Sequence, residues 1–448
     1  MKKTRNLVGI IAIIAVIGIV ALACDNETTG CTNHTAGAAA TCTTAQTCTD
    51  CGHVMTAALG HDFTEWQVTT TAKVYAQGVE TAKCSRCPEL GTLTRPVAML
   101  VLPAGLYLGT PTSLTATSTH IDEVAANNLN AAWDHVVADG NPDGEYTLLI
   151  SENITTGGDR GINRANRQLT IIGIGGERTI RRTEQGSLFV VGATNVEENI
   201  SLTIGNNITL VGRTDGEHGA DSHNSTAVVN VRNGASFVML DGSKITGNTS
   251  TATTDTTGQG AAVVVQSGAS FTMKGGSITG NAATSTTTNS TGGVWLQQEN
   301  STFVMEGGSV SGNNAFADVY IASNSGFGLT LSGNAAIGDI SLNGTDTTRG
   351  GINVAGGWTG SVDILNLRGN NATMATVIGW WFNATTPIQV VRGVTGYTLT
   401  AADIAKFPLG NFLSSATSNN TQLISTGEAD GAPNGFMLNN TGHLVAKP

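Results

Sequence analysis

Apolar and polar positions alternate in short runs through most of the chain, and the runs recur. Phe237-Val-Met-Leu-Asp-Gly-Ser-Lys-Ile-Thr-Gly-Asn248, Phe271-Thr-Met-Lys-Gly-Gly-Ser-Ile-Thr-Gly-Asn281 and Phe303-Val-Met-Glu-Gly-Gly-Ser-Val-Ser-Gly-Asn313 nearly superimpose. A weaker copy lies upstream at Leu202, Ile204, Leu210 and Gly212, and another downstream at Leu329, Leu331 and Gly333. The first residues of the three kernels are 34 and 32 residues apart, and Leu329 follows Phe303 by only 26, so a constant kernel is separated by loops of variable length. The middle copy reads as three strands, Ala262 to Gln266, Ser270 to Met273 and Ser277 to Thr279, with small turns at Ser267-Gly268 and Gly275-Gly276. Within a strand the apolar side chains fall on alternate residues, as Phe271 and Met273 do, so one face points inward.

Three strands and three corners make one coil, and stacking coils at the ~4.8 Å strand spacing pairs each backbone N–H and C=O with the coil above or below. Equivalent residues then form ladders: Phe237, Phe271 and Phe303 inside, Met239, Met273 and Met305 beside them, and Asn248, Asn281 and Asn313 as an amide ladder at a corner. Gly242, Gly276 and Gly308 take the tightest bend, where a positive φ costs glycine little. The Thr/Ser/Asn/Gly tracts at 249–259 and 282–292 read as loops at one corner. The expected fold is all-β, a right-handed single-stranded parallel β-helix over residues 141–375, with a β-sandwich as the alternative. Residues of about 145–370 resemble the pectate-lyase-like β-helix superfamily, and the Gly-Gly-Ser-Ile-Thr-Gly-Asn kernel resembles repeats of bacterial surface β-helix proteins.

Ahead of the repeats, Leu129, Ala132, Trp133, Val136 and Val137 fall on one face of a helix ending near Gly140. Within residues 119–140, such a helix suits a cap over the first coil, which otherwise exposes core and unpaired backbone. Beyond 376, Trp380-Trp381-Phe382 and strands at Ile388 to Val391 and Phe436 to Leu438 suggest modified coils that close the other end.

The N-terminus has a different pattern. Lys2, Lys3 and Arg5 precede an apolar run from Leu7 to Ala23, the layout of a signal peptide over residues 1–23. The run ends in Ala21-Leu22-Ala23-Cys24, which resembles a lipobox with its leucine one place late, and implies a lipid on Cys24 at the head of residues 24–30. Two or three acyl chains anchor a protein far more firmly than one. The expected location is the cell envelope, at the outer membrane or cell surface.

All 7 cysteines precede residue 88, which marks a small module at 31–90, followed at 91–118 by a linker or leading strand. Cys31-Thr-Asn-His34 and Cys48-Thr-Asp-Cys51 form C-x₂-H-x₁₃-C-x₂-C, the spacing of a zinc ribbon, and Cys84-Ser-Arg-Cys87 is a further C-x₂-C pair. His53 or His61 is available to a second site with Cys84 and Cys87, which spacing alone leaves one ligand short. Disulfides are the competing use of these thiols in an oxidising compartment. Thr41-Cys42-Thr-Thr-Ala-Gln46, Thr47-Cys48-Thr-Asp-Cys51-Gly52 and Gly60-His61-Asp62-Phe63 resemble a small Cys-rich module, often tandem, of surface proteins of anaerobic bacteria, with Pro88 where that module usually has glycine. Structural zinc is the implied cofactor.

Composition narrows the function. An apolar content of 40% in strand-like runs argues against disorder, and a net charge of −11 against nucleic acid as partner. The regular coils present Thr, Ser, Asn and Gln with isolated Lys244, Lys274 and Glu306, not the carboxylate cluster with a facing base that polysaccharide lyases and hydrolases of the resembled superfamily need. Asp215, Glu217, His218, Asp221 and His223 make one dense loop that reads first as a solvated surface and second as a site. Arg160, Arg164, Arg167, Arg178, Arg181 and Arg182 read as partners of Glu152, Asp159, Glu177 and Glu184, or as a binding patch for acidic ligands. The expected function is a membrane-anchored, non-catalytic surface scaffold, adhesive or binding a glycan or another cell-surface component. A carbohydrate-active enzyme is the alternative, resting on fold alone.

Overall fold

The computed structural model describes residues 33–87, 92–138, 144–158, 160–193, 199–214, 224, 226–251, 260, 262–284, 290–322, 328–344 and 350–369, and the backbone of further strands between 380 and 446. The signal-peptide and lipidation readings, Cys31 and the 215–223 loop lie outside the described residues, as do 252–259 and 285–289 within the expected corner loops. The chain forms two compact units, one of residues up to 70 with 79–97, the other of 71–78 with the chain from 98 onward. The protein is all-β with large parallel sheets, and its described helix, Leu129–Ala138, is too short to cross a membrane.

In the larger unit each repeat contributes three strands, and each strand pairs in parallel with its counterpart one repeat on. Strands of the first kind are Gly144–Ile150, Arg167–Gly173, Ile200–Ile204, Ser236–Met239, Ser270–Met273, Thr302–Met305, Leu329–Leu331, Gly350–Val354 and Trp380–Ala384; with Gly105–Leu108 they complete a 10-stranded sheet. The other two kinds, such as Lys244–Thr246 and Val263–Val265, share a 17-stranded sheet. The register aligns Leu202, Phe237, Phe271, Phe303 and Leu329 in one row and Ile204, Met239, Met273, Met305 and Leu331 in another. All ten side chains are fully buried. The phenyl rings stack face to face, at 5.1 Å between Phe237 and Phe271 and 4.6 Å between Phe271 and Phe303.

The corners follow from local chemistry. Gly242, Gly276 and Gly308 have φ of 73°, 84° and 82°, and a Cβ on Gly276 would strike the Ser243 carbonyl. The 26-residue spacing from Phe303 to Leu329 comes from a short corner, since only residues 311–316 separate Ser309–Val310 from Ala317–Ile321 where 279–290 separate Ser277–Ile278 from Thr291–Leu296. The next repeat loses this corner altogether. Ala336–Gly344 pairs with Ser309–Val310 at its start and with Ala317–Ile321 at its end, so a single strand does the work of two and their corner is gone. Ser361–Gly369 continues this fused pattern.

Asn128 caps the helix, its side-chain oxygen accepting from the Ala131 N–H at 3.0 Å. Leu129, Ala132, Trp133 and Val136 face the core, and Trp133 stacks on Phe189 with ring centroids 5.0 Å apart. The region read as a linker or leading strand contains strands: Thr92–Val97 joins Gly78–Lys83 and Trp66–Thr70 in a three-stranded sheet of the smaller unit. Gly105–Leu108 pairs antiparallel with Gly144–Ile150 in the larger one.

Candidate metal centre

The smaller unit has almost no hydrocarbon core. Among its described residues the buried apolar side chains are Cys42, Cys48, Ala82 and Cys84, while Val54, Met55, Leu59, Val68 and Leu93 are exposed. A unit of this size without a core needs a staple, and the sulfurs occupy the place where one would sit.

Two groups of ligand-type side chains converge there. Cys42, His61, Cys84 and Cys87 form one and His34, Cys48 and Cys51 the other, with the ligand atoms of each group all within 4.8 Å of one another. In the first, the Cys84 sulfur lies 3.8 Å from that of Cys42 and 3.1 Å from that of Cys87, and His61 Nδ1 is 3.1 Å from the Cys87 sulfur. Cys42 and Cys87 are joined as a disulfide, and Cys84 is a free thiol. In the second, Cys51 Sγ is 3.3 Å from His34 Nδ1, and the His34 and His53 rings stack at 4.7 Å. Either group could hold a metal ion, since soft sulfur and imidazole ligands at this separation match the edges of a tetrahedron with bonds of about 2.0–2.3 Å.

Tight turns place the ligands. The Gly52 N–H donates to the Cys48 carbonyl at 2.9 Å with Gly52 at φ 72°, and the Cys48 N–H to the His53 carbonyl at 2.8 Å, which folds Cys48-Thr-Asp-Cys51 back on itself. Asp62 organises the other turn: its carbonyl accepts from the Ser85 N–H at 2.9 Å, its carboxylate accepts from the Ser85 hydroxyl at 2.8 Å, and its own N–H donates to Cys84 Sγ at 3.3 Å. Burial works against ionising Cys48, but hydrogen bonds from the Asp50 N–H, His34, and the N–H and thiol of Cys51 outweigh it and bring the thiol down to about 6. Burial likewise opposes ionisation of Cys84, and the Asp62 N–H, His61 and the N–H groups of Arg86 and Cys87 bring it down to about 7. Both shifts favour the thiolate, the form that binds metal.

The second group expected around Cys84 and Cys87 gathers His61, and Cys42 joins it as a fourth side chain. Cys84 and Cys87 sit with Cys42 and His61, apart from His34, Cys48 and Cys51. Cys42 carries no C-x₂-C partner, so spacing gave no signal for it; only its position in the unit reveals it.

In the larger unit Arg164, Arg167, Arg178 and Arg182 have main-chain partners. Arg164 donates to the Val137 and Ala138 carbonyls and Arg167 to that of Val136, which satisfies the free carbonyls at the helix C-terminus. Arg178 and Arg182 also donate to main-chain carbonyls, of Ile174, Glu184 and Gln185. The arginines expected to meet carboxylates thus serve the backbone at these contacts. Trp380 and Trp381 lie in a strand paired with Gly350–Val354. A shallow groove of about 680 Å³ runs beside the glycine corner, lined by Glu177, Asp241, Lys244, Lys274 and Asn334 among others. The chain matches no protein-family model, no curated protein and no solved structure.

Proposed function

We propose that the parallel sheets wind as a right-handed β-helix and that the chain is a lipid-anchored envelope protein whose β-helix is a non-catalytic surface scaffold, adhesive or glycan-binding. The observation that carries this reading is the unbroken in-register row from Leu202 to Leu329, with sequence of variable length between the strands. Such stacking gives a stiff body on which loops can differ without disturbing the core. The right hand follows from the general chirality of crossovers between parallel strands in one sheet. The groove along the glycine corner, with both charges and an amide, suits a hydrated polar ligand such as a glycan.

Two measurements test this reading. Glycan-array binding by the purified chain, run beside assays for polysaccharide cleavage, is expected to show binding without product release; cleavage by the pure protein would move the chain to the enzyme class. Cys24→Ala is expected to move the protein out of the membrane fraction or leave its precursor unprocessed. An unlipidated Cys24 inside an intact N-terminus, seen by mass spectrometry, would end the anchor reading.

A further inference from the structure

We infer that Cys42, His61, Cys84 and Cys87 form a closed structural zinc site, interleaved in the chain with a separate site built on His34, Cys48 and Cys51. A disulfide between Cys42 and Cys87 uses two sulfurs and gives no reason for the other two groups to be there. Yet Cys84 is fully buried with its sulfur 3.8 Å from Cys42 and 3.1 Å from Cys87, and His61 turns Nδ1 to within 3.1 Å of the Cys87 sulfur. Four soft donor atoms converging on one point is what a tetrahedral ion requires. The same two sulfurs serve either a disulfide or an ion, and the ion alone employs all four side chains.

The rest of the unit points the same way. Its buried apolar side chains are three cysteines and an alanine, so nothing else described there supplies a core. The Asp62 N–H donating to Cys84 Sγ at 3.3 Å is the kind of outer contact that orients a metal-bound thiolate. Zinc fits better than calcium or magnesium because those hard ions take oxygen ligands.

The chain order gives the arrangement its consequence. His34 is followed by Cys42, then Cys48 and Cys51, then His61, Cys84 and Cys87, so the two ligand sets alternate and neither closes without enclosing part of the other. Cys42 and Cys87 lie 45 residues apart in the sequence, and Cys48 and Cys51 fall between them. Binding free energy at such sites is folding free energy, so losing one ion weakens the other site as well.

The test uses the full chain, solubilised in detergent and purified without chelator. Zinc content is expected at about two ions per chain, with Cys84→Ser and His61→Ala each losing about one and Cys51→Ser losing the other. Cobalt replacement is expected to give the visible absorption of tetrahedral thiolate sites, reduced in each variant. Should a variant misfold, the parent still decides: zinc is expected to protect Cys84 from alkylation, and a chelator to remove that protection. Zinc content unchanged in both Cys84→Ser and His61→Ala, or a Cys42–Cys87 disulfide found by peptide mapping in the zinc-loaded parent, would overturn the site.

Discussion

Phe271→Asp is expected to break the cooperative unfolding of the parallel sheets, while Thr272→Asp, one residue along the same strand, leaves the transition near that of the parent. Phe271 is fully buried between the rings of Phe237 and Phe303, stacked at 5.1 and 4.6 Å. Aspartate there loses both stacks, opens a cavity and puts a carboxylate where neither water nor a cation reaches it. Removal of a buried phenyl ring alone costs about 3–5 kcal/mol, and the unsolvated charge adds to that. Thr272 sits on the opposite face of the pleat, between Val238 and Val304, and is partly exposed. Its substitution is expected to cost less than about 1 kcal/mol. Thermal and urea unfolding of both variants measures the difference, and equal losses would mean that Phe271 does not face inward.

The second large effect concerns the amide ladder. Asn281 is 1% exposed; its Oδ1 accepts from the Asn248 N–H at 3.2 Å, and its Nδ2 donates to Asn313 Oδ1 at 3.0 Å and to the Ile245 and Thr279 carbonyls at 3.3 Å. Asn281→Ala leaves the buried Asn248 N–H without that acceptor and is expected to cost about 2 kcal/mol. Asn281→Asp keeps the acceptor but turns the other side of the group from donor to acceptor, facing three oxygens. It is therefore expected to be the more harmful of the two although it is the smaller change in shape. The ladder itself supplies the comparison. Asp318 ends it, and there a carboxylate fits because it meets donors: the N–H and side-chain amide of Asn313 at 3.0 and 2.8 Å, and the Asp339 N–H at 3.0 Å. Unfolding data in which Asn281→Asp is milder than Asn281→Ala would remove the amide ladder from the account.

Much of the larger unit was legible because its repeats write the same environment several times. Phe, Met and Asn recur at matching places in the kernels, and the pairing of Phe237 with Phe271 and of Phe271 with Phe303 follows from alignment alone. What alignment does not carry is the fate of a corner. The short spacing after Phe303 shows that a corner has shrunk, but not that the next repeat loses it, where Gly338 and Asp339 carry a single strand on from Ala336 to Gly344. The main-chain acceptors of the arginines were illegible for a related reason. Carbonyl acceptors such as those of Val136 and Val137 belong to every residue type, so nothing in the sequence marks them as partners, whereas nearby glutamates are conspicuous.

Most of each candidate metal-binding group was legible from spacing, His34 with Cys48 and Cys51, and Cys84 and Cys87 with His61 as one of two offered histidines, while Cys42 was not. Cys48 with Cys51 and Cys84 with Cys87 announce themselves by spacing, because a two-residue gap brings two sulfurs to one side of a turn. Which pair meets which other ligand is decided by strand pairing. The hairpin of Gln46–Thr47 with Val54–Thr56 and the sheet of Trp66–Thr70 with Gly78–Lys83 surround these turns in the sequence, and an isolated ligand such as Cys42 has no local partner to mark it.

The claim beneath all of this is that consecutive repeats lie side by side, in parallel and in register, and one cross-linking experiment addresses it. Ser236 and Ser270 are register partners on neighbouring strands, with hydroxyl oxygens 2.8 Å apart. In the double variant Ser236→Cys/Ser270→Cys, a bis-alkylating reagent spanning about 5 Å, the distance between adjacent strands, is expected to join the two thiols, as read by peptide mapping. Ser236→Cys/Thr272→Cys, offset by two residues and separated by roughly 7–8 Å, is expected to remain unlinked. Efficient linking of the offset pair, or failure of the in-register pair in folded protein, would contradict the stacked parallel arrangement.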